Sequence, residues 1–120
     1  DSVLSPFCMT LQDDNHCTDV TIDAYRATNC RMALSVKSWG IASTDKVTIR
    51  NSSFSFIGIP EPGLGEKIAS MPFDLWPYFP SYGAYFRNVG EVVLDNVTFS
   101  TIGPDDRDDV FTDNVGSLTR

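Results

Sequence analysis

The segment that decides the fold is Val47-Thr48-Ile49-Arg50-Asn51-Ser52-Ser53-Phe54-Ser55, because the chain contains altered copies of it. A full copy runs Val92-Val93-Leu94-Asp95-Asn96-Val97-Thr98-Phe99-Ser100, and the first five positions also match Val20-Thr21-Ile22-Asp23-Ala24. An incomplete copy begins at Leu118. Successive copies start 27, 45 and 26 positions apart. The spacing predicts a repeat of roughly 26 residues that is interrupted by one insertion.

Each copy alternates apolar and polar residues, which is typical of a strand with one buried face. Short strands and turns that recur at this spacing predict an all-β chain, a right-handed parallel β-helix of about four to five coils. A β-sandwich is the alternative, since it also combines many short strands with evenly spaced turns. The β-helix is preferred because the repeated unit includes a turn and both flanking strands. We expect one domain over residues 1–120, with a Pro-rich and aromatic loop inserted at about 59–81.

Composition excludes several classes of protein. The chain has 16 acidic residues against 9 basic ones and a net charge of −7, so it lacks the basic stripe that nucleic-acid binding needs. No apolar run approaches the roughly 18 residues of a membrane span, and no spacing of Cys and His indicates zinc or another cofactor. Three cysteines in a short chain indicate an oxidising, extracellular compartment. We expect one disulfide among them and one buried thiol; the candidates are Cys8, Cys17 and Cys30.

The C-terminal two thirds of the chain resemble a known family. The motifs are Ile59-Pro60-Glu61, the run from Pro80 to Val89, Pro104-Asp105-Asp106-Arg107 and Asp113-Asn114-Val115. Their order is similar to that in the C-terminal coils of polygalacturonase-like glycoside hydrolases, a pectin-degrading β-helix family. The resemblance covers about residues 44–120. It implies an upstream catalytic set of Asn-x-Asp, an Asp pair, Gly-His-Gly and Arg-x-Lys. The chain contains none of these, so no catalytic residue is assigned and enzymatic activity is not expected.

Four carboxylates crowd one turn around Arg107. The simplest interpretation is a solvated turn with a local Arg–Asp pair, and a calcium loop and a catalytic role are the alternatives. The four residues are Asp105, Asp106, Asp108 and Asp109. A second group, Asp13-Asp14 with His16, has the residue types of an acid–base site, although it too has the composition of an exposed turn.

Asn51 and Asn96 occupy the same repeat position and both lie in N-glycosylation sequons, Asn51-Ser52-Ser53 and Asn96-Val97-Thr98. Counting by twos from the buried positions of each strand places both asparagines inside the coil. Stacked there, they would form a hydrogen-bonded ladder. A turn at the strand end can instead rotate them outward, so a ladder and an N-linked glycan both stay open.

Aromatic residues are concentrated in the insertion and just after it. The candidate residues for an interface or a carbohydrate site are Trp76, Tyr78, Phe79, Tyr82 and Tyr85. Three interpretations remain open: the loop covers the flank of the β-helix, it forms an interface between subunits, or its rings stack on sugars.

Two classes of function are consistent with these patterns. The first is a secreted, non-catalytic structural subunit that associates head to tail into an extracellular fibre, as the incomplete last copy suggests. The second is a fragment of a polygalacturonase-like hydrolase, or a carbohydrate-binding module that uses the aromatic loop. The acidic charge disfavours an acidic polysaccharide as ligand, since its carboxylates would be repelled.

Overall fold

The computed structural model describes residues 5–68 and 79–120, which form seven strands and one short helix. The elements are β1 (Cys8–Leu11), β2 (His16–Asp23), β3 (Arg26–Cys30), β4 (Leu34–Ser38), β5 (Ser43–Phe56), α1 (Leu64–Ile68), β6 (Ser81–Thr101) and β7 (Asp108–Thr119). The all-β prediction is therefore confirmed. The described helix is five residues long, and the described residues include no helix long and apolar enough to cross a membrane.

The strands form one curled sheet in which every described pairing is parallel. Strands follow the order β1-β4-β6-β5-β2, with β3 also on β5 and β7 also on β6. The register joins the copies of the sequence repeat, because Val20 pairs with Val47, Val47 with Val92, and Val92 with Leu118. Each copy therefore lies directly above the preceding one.

Left-handed backbone positions bend the chain between successive stretches of strand. Asn51 in β5 and Asn96 in β6 have φ angles of 51° and 55°, and Ala24 at the equivalent place after β2 has 55°. Asparagine adopts this conformation more readily than other side chains that carry a Cβ. These bends let one long strand contribute to two faces of the curled sheet.

The core consists of columns of like side chains, one from each copy. Val47, Ile49 and Val92 are fully buried, and Leu94 is 4% exposed. Beyond the bend, Tyr25, Phe54 and Phe99 form a continuous aromatic column, with ring centroids 5.7 Å and 5.5 Å apart and nearly parallel planes. The column shows how a repeated apolar position in the sequence becomes a stack in the structure.

The insertion predicted at about 59–81 falls between the end of β5 at Phe56 and the start of β6 at Ser81. Register partners across this junction are 45 positions apart, against 27 between β2 and β5 and 26 between β6 and β7. The strands on either side of the additional residues, β5 and β6, nevertheless pair in continuous register.

The three cysteines are free thiols, so the expected disulfide is not formed. Each sulfur has its own surroundings. The exposed Cys8 accepts a hydrogen bond from the Ser35 hydroxyl at 3.4 Å, and Cys17 donates to the carbonyl of Asp19 at 3.7 Å. Cys30 points into the core, where burial raises the pKa of its thiol. The expected buried thiol is present, at Cys30.

Candidate functional site

The aromatic candidates that the structure describes are not exposed as a sugar-binding platform would require. Phe79 is 4% exposed and Tyr85 is fully buried. Tyr85 belongs to a small cluster separate from the main core. The rings of Phe79 and Phe111 pack edge-on against it there, with ring centroids 5.8 Å and 5.6 Å away. Tyr82 is half-buried and packs against the core ring of Phe56. Phe79 therefore covers the flank of the sheet.

The remaining two aromatic candidates, Trp76 and Tyr78, lie outside the described residues.

Two cations, not predicted from the sequence, lie beside these aromatic rings. Lys37 is 8% exposed, with its ammonium 4.9 Å from the centre of the Phe79 ring. Arg87 is its register partner on β6; its guanidinium lies 4.1 Å from the Trp39 ring and pairs with the carboxylate of Asp113. Aromatic faces stabilise such cations when water is excluded. The contact of Lys37 with Phe79 fastens the end of the insertion to the sheet.

The turn after β6 contains a buried ion pair instead of a solvated one. The side chains of Asp105 and Arg107 are 0% and 3% exposed. One carboxylate oxygen of Asp105 accepts from Nε of Arg107 at 2.8 Å, and the other accepts from Nη2 at 2.6 Å. This two-point geometry is the strong form of a charge-assisted hydrogen bond.

The same ion pair holds both ends of the insertion. The backbone N–H of Ile59 donates to the Asp105 carboxylate at 2.9 Å, and Nη1 of Arg107 donates to the carbonyl of Phe79 at 3.0 Å. Residues 59 and 79 therefore meet at one turn. The Asp105–Arg107 pair acts as a clamp at the base of the loop.

The calcium interpretation of this turn is not supported. Asp105 is engaged by Arg107, and the carboxylate of Asp109 pairs with Arg120 at 2.6 Å. Asp106 and Asp108 are exposed at the surface. Within residues 5–68 and 79–120 no group of three or more acidic, His or Cys side chains is placed to hold a metal ion.

The asparagine ladder is present, but on the outside of the molecule. Nδ2 of Asn96 donates to Oδ1 of Asn51 at 3.0 Å, and both residues are exposed. The inside placement predicted by counting by twos was wrong, because a left-handed residue interrupts the alternation of a strand. Exposure leaves both side chains accessible to a glycan, which stays a prediction.

A second asparagine ladder, not predicted from the sequence, joins β4, β6 and β7. Nδ2 of Asn114 donates to Oδ1 of Asn88 at 2.7 Å, and Nδ2 of Asn88 donates to the carbonyl of Ser38 at 2.7 Å. Asn88 and Asn114 are 26 positions apart, which equals the repeat spacing, and both have positive φ. Asparagines at that spacing were the signal that would have identified the ladder.

Ala24 occupies the first position of the Asn51–Asn96 column and cannot continue the ladder. For an alanine the left-handed conformation costs about 1–2 kcal/mol. We therefore expect Ala24→Asn to raise the free energy of unfolding by about 1 kcal/mol, through lower strain and a side-chain bond to Asn51. Ala24→Gly, which relieves only the strain, should gain less. Urea denaturation of both variants measures this; a destabilising Ala24→Asn would contradict the ladder.

The stack presents unpaired strand edges at both ends of the described structure. Among the strands of the described ranges, β7 pairs only with β6, and β2 pairs only with β5. At one edge Leu118, from the inward column, is 40% exposed, and at the other the half-buried Val20 belongs to the same column. Each end therefore presents backbone hydrogen-bonding groups together with apolar core positions.

Comparison of the chain with protein-family models, with curated proteins and with solved structures gives no match.

Proposed function

We propose that this chain is a structural module that does not degrade polysaccharide. It forms a right-handed parallel β-helix, and its copies associate end to end into an extracellular fibre. The observation that carries the proposal is the unbroken register from Val20 to Leu118, which has an edge on each side with no strand partner among residues 5–68 and 79–120. Such edges are templates for pairing with another chain. A heterologous contact of this kind that does not close on itself produces filaments.

A second copy is the occupant that the register favours for the β7 edge. Val92 pairs with Leu118 and Val93 with Thr119. Continuing at the same pitch sets Val20 of a second copy on Leu118 and its Thr21 on Thr119. Apolar then meets apolar and threonine meets threonine, as within the chain, where Thr21 also pairs with Thr48. The joint between copies thus repeats the pairing within each copy.

The family resemblance supports the right hand of the helix, and the two sequons support an extracellular location. The resemblance to the polygalacturonase-like family implies a right-handed β-helix. Two sequons with exposed asparagines, Asn51 and Asn96, suit a secreted protein. The absence of the family's catalytic motifs from this chain, together with the burial of Phe79 and Tyr85, favours a structural role over hydrolysis or binding of a polysaccharide.

The proposal predicts that Leu118→Lys prevents association. In the stacked arrangement the lysine would meet the apolar column of the next copy and lose its hydration. In the separate chain it reaches solvent, since Leu118 is already 40% exposed. Sedimentation velocity of the wild-type chain should show species that grow from low to high micromolar concentration, whereas Leu118→Lys should stay monomeric.

The matched control for this experiment is Thr119→Lys. Thr119 is an exposed residue of the same edge strand. It pairs with Val93 and so lies outside the inward column to which Leu118 belongs. It should leave the association largely intact. Equal loss of association in both variants would point to a general charge effect, and a wild-type chain that stays monomeric at high micromolar concentration would refute the proposal.

A further inference from the structure

We propose that Ser43, His16 and Asp45 form a nucleophilic site for acyl transfer from a short-chain carboxylic ester. Nδ1 of His16 lies 3.0 Å from the Ser43 hydroxyl, and Nε2 lies 3.1 Å from the carboxylate of Asp45. A hydroxyl within reach of a base that is itself oriented by a third group is the arrangement that activates a serine. The proposal is independent of assembly.

Strand pairing builds this group from residues distant in sequence. His16 and Ser43 are register partners on β2 and β5, and Asp45 is two positions further along β5. The sequence had suggested Asp13 and Asp14 as the acids beside His16, but the imidazole instead contacts two side chains of the next coil. Parallel stacking at the repeat spacing of 27 fixes the contact.

The hydrogen-bond geometry defines the role of each side chain. In the neutral tautomer with the proton on Nε2, His16 donates to Asp45, and its Nδ1 accepts the hydroxyl proton of Ser43. Asp45 positions the ring and stabilises the imidazolium that forms when Ser43 loses its proton. In the usual serine triad Nε2 faces the serine and Nδ1 faces the carboxylate, whereas here the two nitrogens are exchanged. The proton still passes from the serine hydroxyl to the imidazole.

A shallow groove next to Ser43 provides room for a substrate. Its volume is about 350 Å³, and small residues form much of its wall. They include Gly40, Ala42, Gly90 and Gly116, and Ser43 also lines the groove. Gly40 and Ile41 also line this groove, and within residues 5–68 and 79–120 their backbone N–H groups donate to no backbone carbonyl. Amides in the same groove as a nucleophile are candidate donors for a carbonyl oxygen that becomes negative.

The reaction balances without a cofactor. Oγ of Ser43 attacks the ester carbonyl carbon and its proton moves to Nδ1 of His16. The tetrahedral intermediate collapses, the bond from the carbonyl carbon to the alkoxy oxygen breaks, and the leaving alcohol takes the proton from His16. Water then attacks the acyl-serine with His16 as base, which releases the carboxylic acid and restores the hydroxyl. A shallow, open groove suits a small acyl group such as acetyl.

Covalent labelling with a fluorophosphonate tests the site directly, because an activated serine oxygen attacks the phosphorus of this probe, fluoride leaves, and a stable serine phosphonate ester forms. We expect a single adduct that peptide mapping places on Ser43, together with hydrolysis of p-nitrophenyl acetate. Ser43→Ala should abolish the adduct, and His16→Gln should slow labelling by about 100-fold or more. Asp45→Asn should slow it less, since that residue positions the base.

The control is Ser53→Ala, which removes a half-buried serine of the same strand that has no histidine contact. It should label as the wild type does. Melting temperatures within a few degrees of the wild type show that each variant is folded. Unlabelled Ser43 in folded wild-type protein, or labelling that is equally fast in His16→Gln, would overturn the proposal.

Discussion

Replacing Asp105 by alanine is expected to lower the free energy of unfolding by about 3–5 kcal/mol, the cost of leaving one partner of a buried ion pair without the other. The Arg107 side chain is 3% exposed and donates two hydrogen bonds to the Asp105 carboxylate. The variant also removes the acceptor for the N–H of Ile59, so the base of the insertion loosens. Urea unfolding followed by circular dichroism measures the loss.

Two variants define what this result means. Asp106→Ala removes the neighbouring exposed carboxylate and should change stability by less than about 0.5 kcal/mol. Asp105→Ala combined with Arg107→Leu removes both charges, so it should recover part of the loss. A loss below about 1 kcal/mol in Asp105→Ala would show that the pair is solvated and that it does not clamp the loop.

Acid should weaken the same clamp. Burial alone would raise the pKa of Asp105, but hydrogen bonds from Arg107 and from the N–H of Ile59 outweigh it and hold the pKa below its ordinary value of 3.8. The unfolded chain therefore binds this proton more readily than the folded one. Stability is fully present above about pH 4 and falls as the pH drops through the lowered value. Asp105→Asn should reduce the loss of stability in acid but not abolish it, since Arg120 likewise lowers the pKa of Asp109.

Gly83→Ala is expected to have the other large effect, a loss of about 1–3 kcal/mol or more. A Cβ at this buried position would lie 2.5 Å from the carbonyl oxygen of Asp109 and 2.9 Å from a ring carbon of Phe99. The first atom belongs to the backbone of the adjacent strand and the second to the aromatic column. The Asp109 oxygen can withdraw only if β7 moves away from β6. Thermal unfolding of the variant provides the measurement.

Gly103→Ala is the matched control for the steric argument. Its nearest neighbour is the carbonyl oxygen of Ile57 at 3.5 Å, an ordinary contact distance. We expect a change within about 0.5 kcal/mol. If both alanines were tolerated equally, the close approach of the coils at Gly83 would be wrong.

The repeat in the sequence was sufficient to predict strand pairing around β5. Copies that begin at Val20, Val47 and Val92 are partners in the sheet because the sequence spacing and the structural pitch are the same quantity in a stack of coils. The position of the insertion followed from the one long interval. Alternation within each copy also identified the inward residues correctly up to Asn51 and Asn96.

Features that depend on turn length or backbone bends were not predictable in this way. Lys37 pairs with Arg87 at a separation of 50, not 45, because the connection from β4 to β5 is longer than the matching bend in β6. Counting by twos placed Asn51 inside because it ignores a left-handed residue. The buried contact of Asp105 with Arg107 depends on how the turn packs against the insertion, which no local pattern encodes.

Electron cryomicroscopy of the wild-type chain at high micromolar concentration is the decisive experiment for end-to-end association. We expect elongated particles in which parallel coils continue from one copy to the next at a rise of about 4.8 Å, with Leu118 of one copy over Val20 of its neighbour. Particles that remain single chains, or that pair one β7 edge with another β7 edge, would contradict it.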